Sequence, residues 1–205
     1  MRRIALTGGI ATGKSYVARR LTAAGVPVVD ADVLSRQAVA PGEPGLEAIV
    51  ALFGPSVLTS DGLLDRGRLG DHVFRDAGAR RDLEAIVHPI VQRRTEAFFA
   101  ALPPETSFAV ADIPLLFETG GEGRFEAVIV VACEPAAQIE RIIARDGLDH
   151  AAAQRRVAAQ WPIADKIARA DYVISTDGTY AETDAQVDAL LEVLRQQGSS
   201  PDGDS

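Results

Sequence analysis

Short apolar runs along this 205-residue chain alternate with stretches in which apolar residues recur every three or four positions. Such runs predict buried strands, and such recurrence predicts helices. Five strands are predicted, at residues 2–7, 26–29, 108–111, 128–132 and 172–174. Helical spacing predicts one helix at 14–24 and a last helix at 181–197. Strands that alternate with helices indicate an α/β fold with a doubly wound, parallel five-stranded sheet.

The first two predicted strands and the helix between them form a βαβ unit. Gly25 ends the helix, and Pro27 prevents its continuation into the second strand. Units of this kind build parallel sheets with right-handed crossovers. We expect strand two to lie next to strand one, so that Asp32, just beyond strand two, faces the chemistry at the end of strand one.

Two long segments between the predicted strands have helical patterns of their own. Residues 33–106 contain several such patterns separated by Gly and Pro turns, which predicts a mostly helical insertion beside the core. Residues 136–168 predict a second helical segment that carries several Arg residues. The tail, residues 198–205, is expected to be disordered because it consists of small and acidic residues with Pro.

Composition narrows the class of protein. An apolar content of 47% is enough for a packed core, and a net charge of -8 argues against bulk binding to nucleic acid or to an anionic membrane. The single cysteine, Cys133, can form neither an internal disulfide nor a cysteine-built zinc site. No apolar stretch is long enough for a signal peptide or a membrane span. These features favour a cytoplasmic location.

The strongest local signal is a phosphate-binding motif. Gly8-Gly9-Ile10-Ala11-Thr12-Gly13-Lys14-Ser15 fits the pattern G-x-x-x-x-G-K-[ST]. Glycines let successive backbone N–H groups point at one anion, and the following helix adds its positive N-terminal end. Lys14 can reach nucleotide phosphate oxygens, and Ser15 can hold a phosphate-bound Mg²⁺. The motif follows a predicted strand and opens a predicted helix, so a nucleotide phosphate site is predicted.

Further residues favour a small kinase among proteins with this motif. Lys14 and Lys166 are the only lysines, so the guanine-recognition motif of GTPases is absent, and the chain is too short for a large motor or transporter ATPase. A kinase needs an acceptor site and groups that neutralise the transferring phosphoryl charge. Asp32 can take the proton of an attacking hydroxyl. Alternatively, Asp30 or Asp32 caps the next helix.

Two arginines in the second helical segment are candidates for the charge-neutralising groups. Arg141 and Arg145 lie four residues apart and therefore share one helix face. They can clamp a triphosphate, or they can pair in solvent with Glu140, Asp146 or Asp149. Positive charge is concentrated in residues 1–37 and 138–169, although the chain as a whole is acidic. That distribution is compatible with a phosphate ligand.

An ordered set of short segments goes beyond the phosphate motif. It comprises Thr7–Ser15, Gly25–Asp32, His88-Pro89, Asp112-Ile113-Pro114-Leu115-Leu116-Phe117-Glu118, Arg141, Arg145-Asp146-Gly147, Arg156, Gln160, Lys166 and Ala170–Ile174. Together these segments resemble the dephospho-coenzyme A kinase family over nearly the whole chain, to about residue 194. The ordered set is far more specific than the phosphate motif alone.

The resemblance implies ATP-dependent phosphorylation of the ribose 3′-hydroxyl of dephospho-CoA, the last step of coenzyme A biosynthesis, with Mg²⁺ as cofactor. It implies a P-loop NTPase-type core at 1–32, 107–135 and 169–197, an acceptor-binding, CoA-side insertion at 33–106 and a lid at 136–168. Asp32 resembles the general base, Lys14 the phosphate clamp and Arg141 the lid arginine. The implied ATP contacts are Gly9, Ala11, Thr12, Gly13, Lys14, Ser15, Tyr16 and Arg145. The implied acceptor contacts are Asp32, His88, Leu115 and Glu118.

Two departures from the family pattern concern the nucleotide. Ala11-Thr12 replaces the usual Gly-Ser, and if position 11 requires a positive φ, Ala costs roughly 1 kcal/mol relative to Gly. Thr176 stands where the family commonly has Asn, by the adenine.

Two alternative functions stay open: a kinase of the same fold with another nucleotide or small hydroxyl acceptor, and a P-loop binding protein without transfer activity. A monomer is favoured over an oligomer.

Overall fold

The computed structural model describes residues 1–198, except for the side chain of Arg75. The predicted disordered tail, 198–205, lies outside the described residues apart from Gly198. Of the described residues, 1–29 and 102–198 form one compact unit, and Asp30–Ala101 forms a second. In chain order the elements are β1 (Arg2–Gly8), α1 (Lys14–Ala23), β2 (Val28–Asp30), α2 (Ala31–Ala38), α3 (Pro44–Phe53), α4 (Arg66–Arg75), α5 (Ala77–Ala100), β3 (Phe108–Asp112), β4 (Ala127–Ala132), α6 (Pro135–Asp146), α7 (His150–Ala158), α8 (Ile163–Ile167), β5 (Tyr172–Ser175) and α9 (Tyr180–Gly198).

The five predicted strands form one parallel sheet in the order β2-β3-β1-β4-β5, which confirms the predicted fold class. β1 pairs with β3 on one side, where Ile4 is opposite Val110, and with β4 on the other, where Leu6 is opposite Ile129. Every residue of β3 and β4 is buried, which explains why the runs 108–111 and 128–132 are continuously apolar. The carboxyl ends of β1, β3 and β4 lie at one edge, where ligands bind in doubly wound sheets.

The expectation that strand two lies next to strand one is wrong, because β3 lies between β2 and β1. β2 has only three residues, of which Val29 alone is buried. Pro27, which precedes β2, lacks an N–H donor, although its carbonyl accepts a hydrogen bond from Val110 N at 2.9 Å. A short strand entered through proline suits a sheet edge, whereas the fully buried β3 suits the interior. Adjacency of strands therefore gives no argument for the position of Asp32.

Helices cover both faces of the sheet in the first unit. One face packs against α1 and α9 through Val17, Leu21, Val187, Leu191 and Leu194. The other face packs against the turn after β3 and the region around α8, and its buried residues are Ala5, Leu116, Phe117, Val128, Val130 and Ala132. Ile4 and Ala5 thus face opposite layers, as the alternation of a β-strand requires.

The second unit is helical, as the apolar spacing predicts. The 24-residue helix α5 packs against α2, α3 and α4. The buried core of the second unit consists of Ala38, Val39, Ile49, Val57 and Leu69. Asp65 and Asp76 cap α4 and α5 by accepting backbone N–H hydrogen bonds, so these helices begin where acidic caps precede them. Within residues 1–198, no helix combines the length and the apolar character that crossing a bilayer needs.

Candidate active site

The phosphate-binding motif, Gly8–Ser15 and hereafter the P-loop, connects the carboxyl end of β1 to the first turn of α1. Gly13 is the N-cap of α1 with a φ of 84°, a left-handed conformation that favours glycine. No side chain caps this helix and no acidic residue lies in its first turn. Its first backbone N–H groups and the positive end of its dipole are therefore suited to an anion.

Close packing fixes both ends of the P-loop. A Cβ atom on Gly8 would lie 2.5 Å from Val131 O, so only glycine fits where the loop leaves β1. The Thr12 side chain is fully buried, and its hydroxyl donates to Gly9 O at 2.9 Å. Its side chain therefore supports the loop from within, which leaves only its backbone for the predicted ATP contact. Ala11 has a φ of 58° and is the one non-glycine residue with a positive φ among the described residues. The positive φ suspected at this position is thus present.

Lys14, the predicted phosphate clamp, forms an ion pair with Asp112 at the carboxyl end of β3. The side chain of Asp112 is 5% exposed and that of Lys14 is 15% exposed. Ser15, the predicted magnesium contact, is exposed at the start of α1. Tyr16 packs on Tyr180 and donates its hydroxyl to Asp184 at 2.7 Å, and this hydrogen bond raises the pKa of the Tyr16 phenol.

The two predicted lid arginines have different surroundings. Arg141, on α6, donates through Nη1 to Ala11 O at 3.3 Å and to Thr176 Oγ1 at 3.0 Å. Its Nη2 donates to Thr176 O at 2.6 Å. Arg145 instead binds Asp146 with both Nε and Nη2, at 2.8 and 3.0 Å. Arg141 thus lies against the P-loop, whereas Arg145 is held by its acidic neighbour, as the solvent-pairing alternative predicted.

Thr176, which departs from the family pattern, links three elements. It follows β5 and is 8% exposed. Its hydroxyl donates to Thr12 O at 2.8 Å and accepts the hydrogen bond from Arg141. A Cβ atom on Gly13 would lie 3.3 Å from the Thr176 methyl carbon. Thr176 therefore positions Arg141 against the end of the P-loop.

Three more side chains from residues 138–166 bind the P-loop backbone. Gln138 Nε2 donates to Ile10 O at 2.8 Å, and Ile10 N donates to Gln160 Oε1 at 2.7 Å. Lys166 is fully buried, and its Nζ donates to Gly8 O at 3.2 Å. Both polar groups of the Ile10 backbone are therefore satisfied by glutamine side chains.

Glu118, a predicted acceptor contact, pairs with Lys166 at 2.7 Å through Oε1. The same oxygen accepts a hydrogen bond from Trp161 N at 3.1 Å. Leu115, three residues earlier, is 44% exposed. Leu116 and Phe117 between them are buried in the core, so packing explains these two residues but neither Leu115 nor Glu118.

The other predicted acceptor residues lie in the second unit. Asp30 is the N-cap of α2, and its Oδ1 accepts from Asp32 N at 2.7 Å and from Val33 N at 3.1 Å. Asp32 lies in the first turn of α2 with an exposed side chain. The capping role thus falls to Asp30, which leaves the Asp32 carboxylate for other chemistry. His88 is exposed on α5, immediately before Pro89.

Several residues around the P-loop have no role predicted from the sequence. Asp112 had a usable signal, because an acidic residue ends an otherwise apolar buried strand. Lys166 had a usable signal as well, since it is one of only two lysines and has apolar residues around it in a short helix. Gln160 was part of the family pattern but without a role, and Gln138 had no signal, because the contacts of both are with backbone atoms far away in the chain.

These features define the class of protein. A parallel sheet of this order, with a glycine-rich loop between β1 and α1 and a lysine at the helix start, has a P-loop kinase fold. The sequence profile of the dephospho-CoA kinase family matches residues 2–182, and the chain belongs to that family. It is therefore a kinase, and hence a transferase, of coenzyme A biosynthesis.

Individual proteins are similar to this chain over nearly its whole length. A dephospho-CoA kinase of Anaeromyxobacter dehalogenans is 50% identical over 95% of this chain and 93% of its own length. A crystal structure of a Thermus thermophilus protein has a TM-score of 0.83 at 36% identity and covers 95% of this chain and 97% of its own. A dephospho-CoA kinase structure from Campylobacter jejuni has a TM-score of 0.72 at 27% identity, with coverages of 95% and 98%.

Proposed function

We propose that this protein transfers the γ-phosphoryl group of ATP to the ribose 3′-hydroxyl of dephospho-CoA, giving coenzyme A and ADP. The observation that carries the proposal is the uncapped, acid-free start of α1 with Lys14 and Arg141 beside it, in a chain of this family. The hydroxyl oxygen forms a bond to the γ-phosphorus as the bond to the β–γ bridging oxygen breaks. The hydroxyl proton goes to a carboxylate, and ADP keeps the released electron pair.

On the donor side, the P-loop backbone from Gly9 to Tyr16 would bind the phosphates. Lys14 would leave Asp112 for the β- and γ-phosphate oxygens, because a triphosphate offers more negative charge than one carboxylate. Arg141 would neutralise charge on the transferring group, since its guanidinium already lies against the loop. Arg145 would join it by exchanging Asp146 for phosphate.

A magnesium ion is implied by kinase chemistry. Among residues 1–198, no group of three or more His, Cys, Asp or Glu could hold a metal by itself. The hydroxyl of Ser15 and the carboxylate of Asp112 are oxygen donors next to Lys14, which suits an ion that binds largely through phosphate oxygens and water. Ser15 would hold the ion. When bound, Mg²⁺ supplies neutralisation of the phosphate charge during transfer.

On the acceptor side, Asp32 would take the proton of the 3′-hydroxyl. Support comes from Asp30, which caps α2 and so leaves the Asp32 side chain exposed at the helix start. His88, Leu115 and Glu118 are the further acceptor contacts that the family resemblance implies. The exposed Leu115 suits an apolar contact with a bulky acceptor.

The decisive assay mixes the protein with Mg-ATP and dephospho-CoA and looks for coenzyme A by mass. We expect a gain of one phosphoryl group on the acceptor and one ADP for each coenzyme A. A 3′-deoxy analogue of dephospho-CoA should give no product. Folded protein that hydrolyses or binds ATP without forming coenzyme A would contradict the proposal, and phosphorylation of another nucleotide or small hydroxyl compound would support a different acceptor. Gel filtration and cell fractionation test the predicted monomer and the predicted cytoplasmic location.

A further inference from the structure

A closed circuit of hydrogen bonds surrounds the first half of the P-loop. Lys166 Nζ donates to Gly8 O at 3.2 Å and pairs with Glu118 Oε1 at 2.7 Å. Trp161 N donates to the same Glu118 oxygen at 3.1 Å. Gln160, the residue before Trp161, accepts from Ile10 N at 2.7 Å. The circuit thus starts at Gly8 and returns to the chain at Ile10.

Two charged side chains of this circuit are largely buried, so its formation requires their desolvation. The Lys166 side chain is 0% exposed and that of Glu118 is 15% exposed. A buried ion pair has to repay the desolvation of both charges, so it is weak evidence for stability alone. The second Glu118 oxygen is buried without a hydrogen-bond partner among the described residues. A well-packed apolar pair would stabilise the core at least as well, so stability alone does not account for these two charged residues.

The contacts of the circuit indicate a role beyond stability. Both ends bind P-loop backbone atoms, namely Gly8 O and Ile10 N. Gly8 and Ile10 flank Gly9, the glycine at which the loop turns away from β1. The strained Ala11 follows directly, with its φ of 58°. A loop that contains a strained residue keeps its shape only when its surroundings hold it.

We propose that Glu118 and Lys166 are positioning residues for ATP, which hold Gly8 and Ile10 so that the P-loop backbone keeps its phosphate-binding shape. Lys166 acts on the loop directly, and Glu118 acts through Lys166 and through the Gln160–Trp161 segment. This role goes beyond the acceptor contact that the resemblance implies for Glu118. It rests on the ATP-dependent transfer proposed above, which the activity of the unmodified protein tests separately.

The experiment measures KM for ATP, KM for dephospho-CoA and kcat for Lys166→Met and Glu118→Gln. We expect each variant to raise KM for ATP about tenfold, because a displaced loop misplaces the phosphates. Lys166→Met should leave KM for dephospho-CoA within about twofold, whereas Glu118→Gln should raise it as well, because Glu118 is also an implied acceptor contact. The double variant should have a KM for ATP only slightly above that of either single variant, since both substitutions break the same circuit. Gln160→Met, which removes only the acceptor for Ile10 N, should shift KM for ATP in the same direction by a smaller factor.

Glu122→Gln is the matched control. It makes the same change of charge four residues from Glu118, at a residue whose ion pair is with Arg169, at 3.8 Å. It should leave both KM values unchanged. Far-ultraviolet circular dichroism and melting curves establish that each variant is folded, and Gln160→Met keeps the test open if either buried variant is not.

Three outcomes would overturn the proposal. If Glu118→Gln lowers KM for ATP while Lys166→Met raises it, Lys166 acts by its charge on the phosphates and not by holding the loop. If Glu118→Gln raises KM for dephospho-CoA and leaves KM for ATP unchanged, Glu118 acts on the acceptor alone and does not hold the P-loop. If both variants lower the melting temperature while the kinetic constants of the folded protein stay unchanged, the pair has a structural role only.

Discussion

Lys14 and Asp112 form an ion pair that joins the start of α1 to the carboxyl end of β3. Both side chains are largely removed from solvent, at 15% and 5% exposure. The charge that we propose for nucleotide phosphates is thus balanced by a carboxylate in this structure. Phosphate binding would then be an exchange of partners for Lys14 rather than the burial of a new charge, which would limit the desolvation cost.

This exchange predicts the behaviour of Asp112→Asn. Removal of one partner leaves Lys14 with an uncompensated charge, so the free protein should lose on the order of 2 kcal/mol of stability. ATP without Mg²⁺ should then raise the melting temperature of the variant more than that of the unmodified protein. With Mg²⁺ present that advantage should shrink, because Asp112, next to Lys14, would also support the metal-bound phosphates. Melting curves at matched ATP concentrations measure both effects.

Lys14→Met provides the control for this prediction, since it should remove most of the ATP-induced rise in either background. An ATP-induced rise that is smaller in Asp112→Asn than in the unmodified protein, with Mg²⁺ absent, would show that Asp112 does not compete with phosphate for Lys14. The ion pair would then be a purely structural contact.

Ala11 offers a test of backbone strain within the P-loop. At a φ of 58° an alanine is less favourable than glycine by about 1 kcal/mol or somewhat more, and part of this is offset by the larger unfolded-state entropy of glycine. Ala11→Gly should therefore stabilise the protein by about 0.5–1 kcal/mol, seen as a rise of roughly 2 °C in melting temperature for a chain of this size. ATP affinity should change little.

Gly25→Ala is the matched reverse exchange. Gly25 has a φ of 83°, and no atom lies within 4 Å of an added Cβ, so only the backbone is tested. It should destabilise the protein by about 1 kcal/mol. If Ala11→Gly and Gly25→Ala change the free energy of unfolding in the same direction, the strain at Ala11 is relieved elsewhere in the loop.

The sequence predicts the strands well but not their order in the sheet. Runs such as Val128–Ala132 identify buried strands because both of their faces are covered. The apolar periodicity of the long segment between β2 and β3 predicts its helices, but not the position in the sheet at which the chain returns as β3. Only the shortness of the second run and the proline before it point to an edge strand.

The site divides in a similar way. The motif predicts the P-loop and Lys14, since its residue types follow directly from phosphate chemistry. Arg141 and Arg145 have the same spacing signal, yet only Arg141 lies on the loop, because Asp146 holds Arg145. That difference depends on tertiary contacts of Ala11 and Thr176, which no local pattern encodes. Contacts of side chains with distant backbone atoms, such as that of Gln160 with Ile10, are invisible in a single sequence for the same reason.

Asp146 predicts a dependence of stability on pH. Hydrogen bonds from Arg145, foremost, and from Arg156 lower the pKa of this carboxyl below its usual value. A lowered pKa in the folded state contributes stability above the unfolded value of about 3.9, and that contribution is lost as the pH falls through the folded value. Asp146→Asn should therefore melt below the unmodified protein at pH 7, and the gap should close under acid. Because the groups are exposed, about 1 M salt should also narrow the gap; a gap that stays constant with both pH and salt would argue against an electrostatic origin.

Asp32 and Asp30 allow the general base to be separated from the helix cap. Asp32→Asn keeps the shape of the side chain but cannot accept the hydroxyl proton, so kcat should fall at least about 100-fold. ATP affinity should stay within about twofold, since Asp32 is not part of the P-loop. Asp30→Asn is the control, because Asn caps helices about as well as Asp, and it should leave kcat and stability near their original values. Steady-state kinetics and ATP titration measure these quantities.

An equal loss of kcat and of ATP affinity in Asp32→Asn would exclude Asp32 as the general base. A loss of kcat in Asp30→Asn as large as that in Asp32→Asn would instead indicate that the start of α2 acts through its position, and not through the Asp32 carboxylate.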